Sequence, residues 1–188
     1  SFNGWNGEGT ADANASSTTV DMSQNRTLSA SFSLNSYDLT VLAGSGGSVT
    51  GSGSFSHGTN PSISATPDTG YSFNGWNGEG IADPSAPSTT VDMSQARSIS
   101  ASFSLNSYDL TVLAESGGSV TGSGSFPHGS LVNVSATPNS GYSFVQWVGA
   151  GISDSTAPNT TLIMNSDQSI TAQFAQSEQS LFSLVLQS

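Results

Sequence analysis

Apolar residues alternate with polar ones in short runs along this chain, and nowhere do they recur at i, i+3, i+4 and i+7 over three turns. In YDLTVLA, Tyr108, Leu110, Val112 and Ala114 fall on one face, with Asp109 and Thr111 on the other. Val132, Val134 and Ala136 alternate in the same way with Asn133 and Ser135, and Tyr142 and Phe144 share a face. The pattern predicts strands separated by Gly-, Pro-, Asn- and Ser-rich turns. GSGGSV and TGSGSF predict a hairpin, and TPNSG predicts a turn. Thr161 and Ile163, followed by Ile170, Ala172 and Phe174, predict a final hairpin turning at NSDQ. Each unit would hold about five or six strands, a usual number for one sheet.

The pattern repeats. Trp5, Trp76 and Trp147 lie 71 residues apart, as do Phe2, Phe73 and Phe144, and Phe32, Phe103 and Phe174. Tyr37 matches Tyr108, Tyr71 matches Tyr142, and His57 matches His128 at the same step. Residues 1–36 read as the second half of a copy, 37–107 and 108–178 as complete copies, and 179–188 as an apolar, strand-like tail. Residues 1–36 are identical to 72–107 at 29 of 36 positions, but 143–178 only at 16 of 36. Terminal repeats are often atypical, so the drop predicts that the array ends near residue 178. The fold class expected is all-β: small, tandem β-domains of about 71 residues arranged as an elongated array. A unit this small supports a modest core, so packing between neighbouring units is expected to add stability.

Composition narrows the partners. There is no Cys and no Lys, and Arg26 and Arg97 are the only strong bases against 13 acids, for a net charge of -11. Phosphate backbones and anionic membranes need clustered cations, so nucleic acid is excluded and membrane docking disfavoured. No apolar run is long enough to span a bilayer. Only 8% of residues are charged. Solubility must then rest on Ser, Thr, Asn and Gly, which favours an extracellular or bacterial cell-surface location. Ser1 opens the chain with no signal-type apolar region, which reads as a processed or excised piece.

One ordered set of motifs is specific. Tyr108, Leu110, Thr111 and Val112 are followed by Gly117–Val120, then His128 and Gly129. Ala136–Pro138, Gly141, Tyr142, Phe144 and Trp147 come next, and Ile170, Ala172 and Phe174 close the unit. The copy at 37–107 carries the whole set. This pattern resembles the divergent branch of the bacterial InlB B-type repeats (Listeria–Bacteroides-like repeats) of large secreted and surface proteins. The resemblance implies a small, mostly β, β-grasp-like module used as a spacer or adhesive element. It implies no catalytic residues.

Each candidate chemistry has a packing alternative. The three tryptophans could stack on sugar rings, or could join Phe2, Phe73, Phe144, Phe32, Phe103, Phe174, Tyr37, Tyr71, Tyr108 and Tyr142 in the cores. Asn74, Gly75, Asn77 and Glu79 become Val145, Gln146, Val148 and Ala150 in the last copy, while Phe and Trp stay. A polar binding site would need the polar residues, so the core reading is preferred. His57 and His128 precede glycine and read as turn residues without zinc-ligand spacing. Asp12, Asp83 and Asp154 could supply oxygens to Ca²⁺ but fit Asx turns better. Serines lie in repetitive turns without a partner base. The expectation is therefore no enzyme, no cofactor, no catalytic residue and no metal ligand.

The tail LFSLVLQS suggests assembly. Leu181, Phe182, Leu184, Val185 and Leu186 could complete the half-repeat of another molecule by strand addition, giving a head-to-tail homopolymer. The alternative is that both ends are cuts through a longer array, with neighbouring repeats as the partners. The function expected is a stalk, adhesin segment or filament subunit. The alternative is a carbohydrate-binding accessory region of a secreted polysaccharide-degrading enzyme, with glycans as partners and Trp76 exposed in a groove.

Overall fold

The computed structural model describes residues 1–177 of the 188. They form two compact units: Ser1–Pro67 with Phe73–Phe103, and Asp68–Ser72 with Ser104 onward. All regular structure is strand. In the chain up to Leu105 the strands are β1 (Phe2–Asn6), β2 (Ser29–Phe32), β3 (Ser36–Ala43), β4 (Gly47–Thr50), β5 (Gly53–Ser56), β6 (Ser62–Pro67), β7 (Tyr71–Asn77), β8 (Ser88–Thr90) and β9 (Arg97–Leu105). Beyond it follow β10 (Ser107–Ala114), β11 (Gly118–Thr121), β12 (Gly124–Pro127), β13 (Leu131–Pro138), β14 (Tyr142–Val148), β15 (Asn159–Ile163) and β16 (Gln168–Gln176).

A complete repeat is two sheets around one core. The copy at 108–178 has a four-stranded sheet, β12-β10-β16-β14, and a three-stranded sheet, β11-β13-β15. In the four-stranded sheet the middle pair, β10 and β16, is parallel and the outer pairs are antiparallel. That order, second–first–fourth–third, is β-grasp-like, and a three-stranded sheet takes the place of a covering helix. The copy at 37–107 repeats both sheets as β5-β3-β9-β7 and β4-β6-β8, while β1 and β2 pair as an antiparallel ribbon.

Alternation explains the packing. Leu110 and Val112 of β10, Val132, Val134 and Ala136 of β13, Leu162 of β15 and Ile170 and Ala172 of β16 point inward and join Trp147 and Met164 in one buried cluster. Leu39, Val41, Ile63, Ala65, Trp76, Val91, Met93, Ile99 and Ala101 form its twin in the preceding copy. The buried members come from both sheets, so the sheets pack face to face, which removes water from both inner faces at once.

Several expected details are corrected. A repeat has seven strands rather than five or six. The GSGGSV and TGSGSF segments are not a hairpin: β11 pairs with β13, and β12 with β10. The chain crosses between sheets at Gly122, whose φ is +120°, and at its counterpart Gly51, at +114°. These are conformations a Cβ disfavours. The crossing leaves an edge gap, and Ser123 fills it by accepting the Val112 N–H at 2.9 Å. Nor do β15 and β16 form a hairpin: β15 pairs with β13, and β16 with β10 and β14. The inward face of β15 carries Thr160 and Leu162, and Ile163 is 48% exposed, opposite to expectation. Ala114 also lies exposed, past the covered part of β10. A turn that joins neighbours within a sheet and one that crosses between sheets use the same Gly- and Ser-rich residues, so local pattern does not separate them.

Candidate functional site

The stretch richest in candidate chemistry is the Phe–Trp strand and the loop after it. Trp76 is 6% exposed and Trp147 2%. Phe73 stands at 5.5 Å from Trp76 and 5.9 Å from Phe103, tilted edge-to-face, an arrangement ring quadrupoles favour. Phe144, Trp147 and Phe174 repeat the triplet, as do Phe2, Trp5 and Phe32.

Each tryptophan also holds its loop. The Trp76 backbone N–H donates to the Pro84 carbonyl at 2.8 Å, and its indole Nε1–H to the Ala86 carbonyl at 3.0 Å. Trp147 binds the Ser155 and Ala157 carbonyls, and Trp5 those of Ala13 and Ala15. The acceptors are backbone atoms, so side chains along the loop are free to vary while the clamp persists. The clamp satisfies an indole N–H that burial would otherwise strand.

Asp83 and Asp154 build the bend inside that loop. The Asp83 carboxylate accepts the Ser85 N–H at 2.9 Å and hydroxyl at 2.7 Å, while the Asp83 N–H donates to Thr89 Oγ1. Asp154 does the same with Thr156 and Thr160, and Asp12 takes the Asn14 N–H. The Ser85 hydroxyl, then its amide, hold Asp83 below the ordinary carboxylate value, and Thr156 does so for Asp154. These carboxylates are spent on Asx turns, and among the described residues no group of three or more metal-ligating side chains converges.

The remaining expected core residues divide. Tyr37, Tyr71, Tyr108, Tyr142, Phe103, Phe144, Phe174, Phe2 and Trp5 are half-buried. Phe103 and Phe174 lie flat on Gly47 and Gly118, where an added Cβ would overlap the ring. Phe32 does not share this fate. It is 71% exposed, because residues 1–36 contain no counterpart of the glycine strand that covers the other two. Met22, at 71%, differs likewise from Met93 and Met164, which are fully buried. Leu181, Phe182, Leu184, Val185 and Leu186 lie outside the described residues.

His57 and His128 stand edge-on to Tyr37 and Tyr108, and the glycine after each donates its N–H to the Met93 or Met164 carbonyl. The two methionines were missed in the sequence, although they recur at the 71-residue step. So was the structural use of the arginines: Arg97 reaches Asp92, Ser94 and Glu79, and Arg26 reaches Asp21 and Glu8. The depressions beside Arg97, beside Arg26 and over β13 hold about 250, 190 and 240 Å³. All fall below the roughly 300–1,000 Å³ of small-molecule pockets.

Packed rings, self-satisfied loops and two near-identical cores define a tandem β-repeat protein whose recurring positions are used by its own fold. The pattern of the divergent InlB B-repeat domain matches residues 1–36, 37–107 and 108–178, and the chain belongs to this family. Comparison with curated proteins and with solved structures returns no match. Repeats of this family are typical of surface and extracellular proteins. Among the described residues, no helix is long and apolar enough to cross a membrane.

Proposed function

We propose that this chain is a non-catalytic, extracellular structural segment, serving as a stalk, adhesin segment or filament subunit at a bacterial cell surface. The observation that carries the reading is the use of every tryptophan inside its own module, with a lysine-free surface rich in Ser, Thr and Asn left outside. A load-bearing role predicts discrete mechanical unfolding. Pulling single molecules by their ends should give steps somewhat under ~26 nm, the extended length of 71 residues at ~0.36 nm each less the span the folded repeat already covers. Featureless extension at low force would refute a load-bearing role.

In its finer form the reading includes head-to-tail assembly. Strand β2 is exposed at every residue, with Phe32 at its end 71% exposed and Leu34 just beyond it 72% exposed. An unpaired, apolar edge of this kind accepts an added strand, and the segment proposed to fill it is 181–188 of another molecule. Electron microscopy of the chain with and without residues 181–188 tests this: filaments should form and should vanish on deletion. Absence of filaments from the intact chain, or their survival on deletion, refutes the assembly. The glycan-binding alternative needed Trp76 exposed in a groove, and its 6% exposure removes the feature on which that reading stood.

A further inference from the structure

The only two strong bases of the chain occupy equivalent positions, and neither is free on the surface. The Arg97 side chain is 9% exposed. Its Nε donates to the Asp92 carbonyl at 2.5 Å, and Nη2 reaches the Asp92 carboxylate and the Ser94 hydroxyl, each at 3.2 Å. Nη1 stands 4.0 Å from the Glu79 carboxylate. The backbone of Gly80 roofs the guanidinium so closely that a Cβ there would overlap it. Arg26 repeats the arrangement with Asp21 and Glu8, under Gly9.

The last copy breaks the pattern as a set. Gln168 replaces Arg97, Ile163 replaces Asp92, Ala150 replaces Glu79 and Asn165 replaces Ser94. One contact survives: Gln168 Nε2 donates to the Ile163 carbonyl at 3.0 Å, as Arg97 Nε does to Asp92. Gln168 Oε1 is buried without a hydrogen-bond partner. The last copy therefore keeps the neutral half of the contact and loses all of the charge.

We propose that the residue at this position decides, copy by copy, whether the loop after the tryptophan is held by an acid-sensitive ion lock. In the first two copies the guanidinium has little water of its own, so Asp21 or Asp92, hydrogen-bonded to it, supplies the compensating negative charge, with the exposed Glu8 or Glu79 standing 4.0 Å away. Protonating that aspartate leaves a poorly solvated cation under the loop and loosens it. The facing groups come from three elements: Glu79 from the loop, Asp92 and Ser94 from the turn before β9, and the apolar Leu39 opposite Arg97 in β3. Asp92 is held below its ordinary value of 3.8 by the Ser94 hydroxyl and then by Arg97, and Asp21 by Ser23 and Arg26. A lowered folded value means that the stabilisation is complete above the ordinary value and is lost as pH falls through the lowered one. The Asx turns at Asp83 and Asp154 titrate in both complete copies and form a shared background.

Amide hydrogen exchange on the full chain, read by peptide mass spectrometry at about pH 6 and about pH 3 with intrinsic rates divided out, tests the lock. Protection over 7–27 and 78–98 should fall about two- to fivefold more than over 149–169. Equal changes in all three segments overturn the proposal. The double variant Arg97→Gln, Asp92→Asn should remove the excess over 78–98 while leaving it over 7–27. Persistence of the excess in that variant also overturns the proposal. Should that variant not fold, Asp92→Asn alone carries the same expectation, because it keeps the carbonyl that accepts Arg97 Nε.

Discussion

Tryptophan does two jobs in each copy, and a substitution can separate them. Trp147→Phe keeps most of the ring in the core but deletes the N–H that meets the Ala157 carbonyl. It should cost about 1–3 kcal/mol, the penalty for a stranded buried polar group plus a small cavity. Trp147→Ala should cost about 3–5 kcal/mol. Urea unfolding of the two variants beside the parent chain measures both, and a Trp147→Phe variant as stable as the parent would show that the indole N–H contributes nothing. The sequence already separated the rings from their polar neighbours, because Phe and Trp persist where Asn74, Gly75, Asn77 and Glu79 change. It did not reveal that Gly75 and Ser102 change together to Gln146 and Gln173. The hydroxyl-to-carbonyl contact of one copy becomes a side-chain amide pair in the other. That exchange spans two strands, and only pairing geometry makes it visible.

At the scale of one element, the loop between β14 and β15 shows how a carboxylate shapes backbone. Asp154 accepts the Thr156 amide and hydroxyl, and its lowered pKa means that the turn stabilises the fold above the ordinary carboxylate range. As pH falls through the lowered value the acceptor gains a proton and the stabilisation is lost. Asp154→Asn keeps an acceptor oxygen without the titration. Its urea midpoint should therefore decline less than the parent's between about pH 5 and pH 2, and parallel declines would show that the turn carries no pH dependence. The Asx turns were legible from Asp recurring in a Pro- and Ser-rich loop. The face of β15 was not: Thr160, Thr161, Leu162 and Ile163 offer a mixed run in which either parity buries one large aliphatic residue. The opposing sheet chose Leu162.

At the scale of the whole molecule, little exposed chemistry stands unengaged among the described residues. Both strong bases are engaged by nearby acids, and the two tryptophans of the complete copies are covered. Soluble neutral glycans should leave the tryptophan fluorescence unchanged. Acrylamide should reach Trp5, which is half-buried, before Trp76 and Trp147. Quenching by a glycan would restore the binding reading.

The sequence by itself determined the all-β class and the 71-residue period. These follow from the two-residue periodicity of a strand, from Gly and Pro at turns, and from direct comparison of copies, all of which are local or self-referential. Tertiary structure alone decided which strands share a sheet, that every connection within a complete copy crosses between sheets, and that Phe32 stands open while Phe103 and Phe174 are covered. Those outcomes depend on partners tens of residues away. The same short alternating strand satisfies its backbone equally well in either sheet until the opposite face claims its side chains.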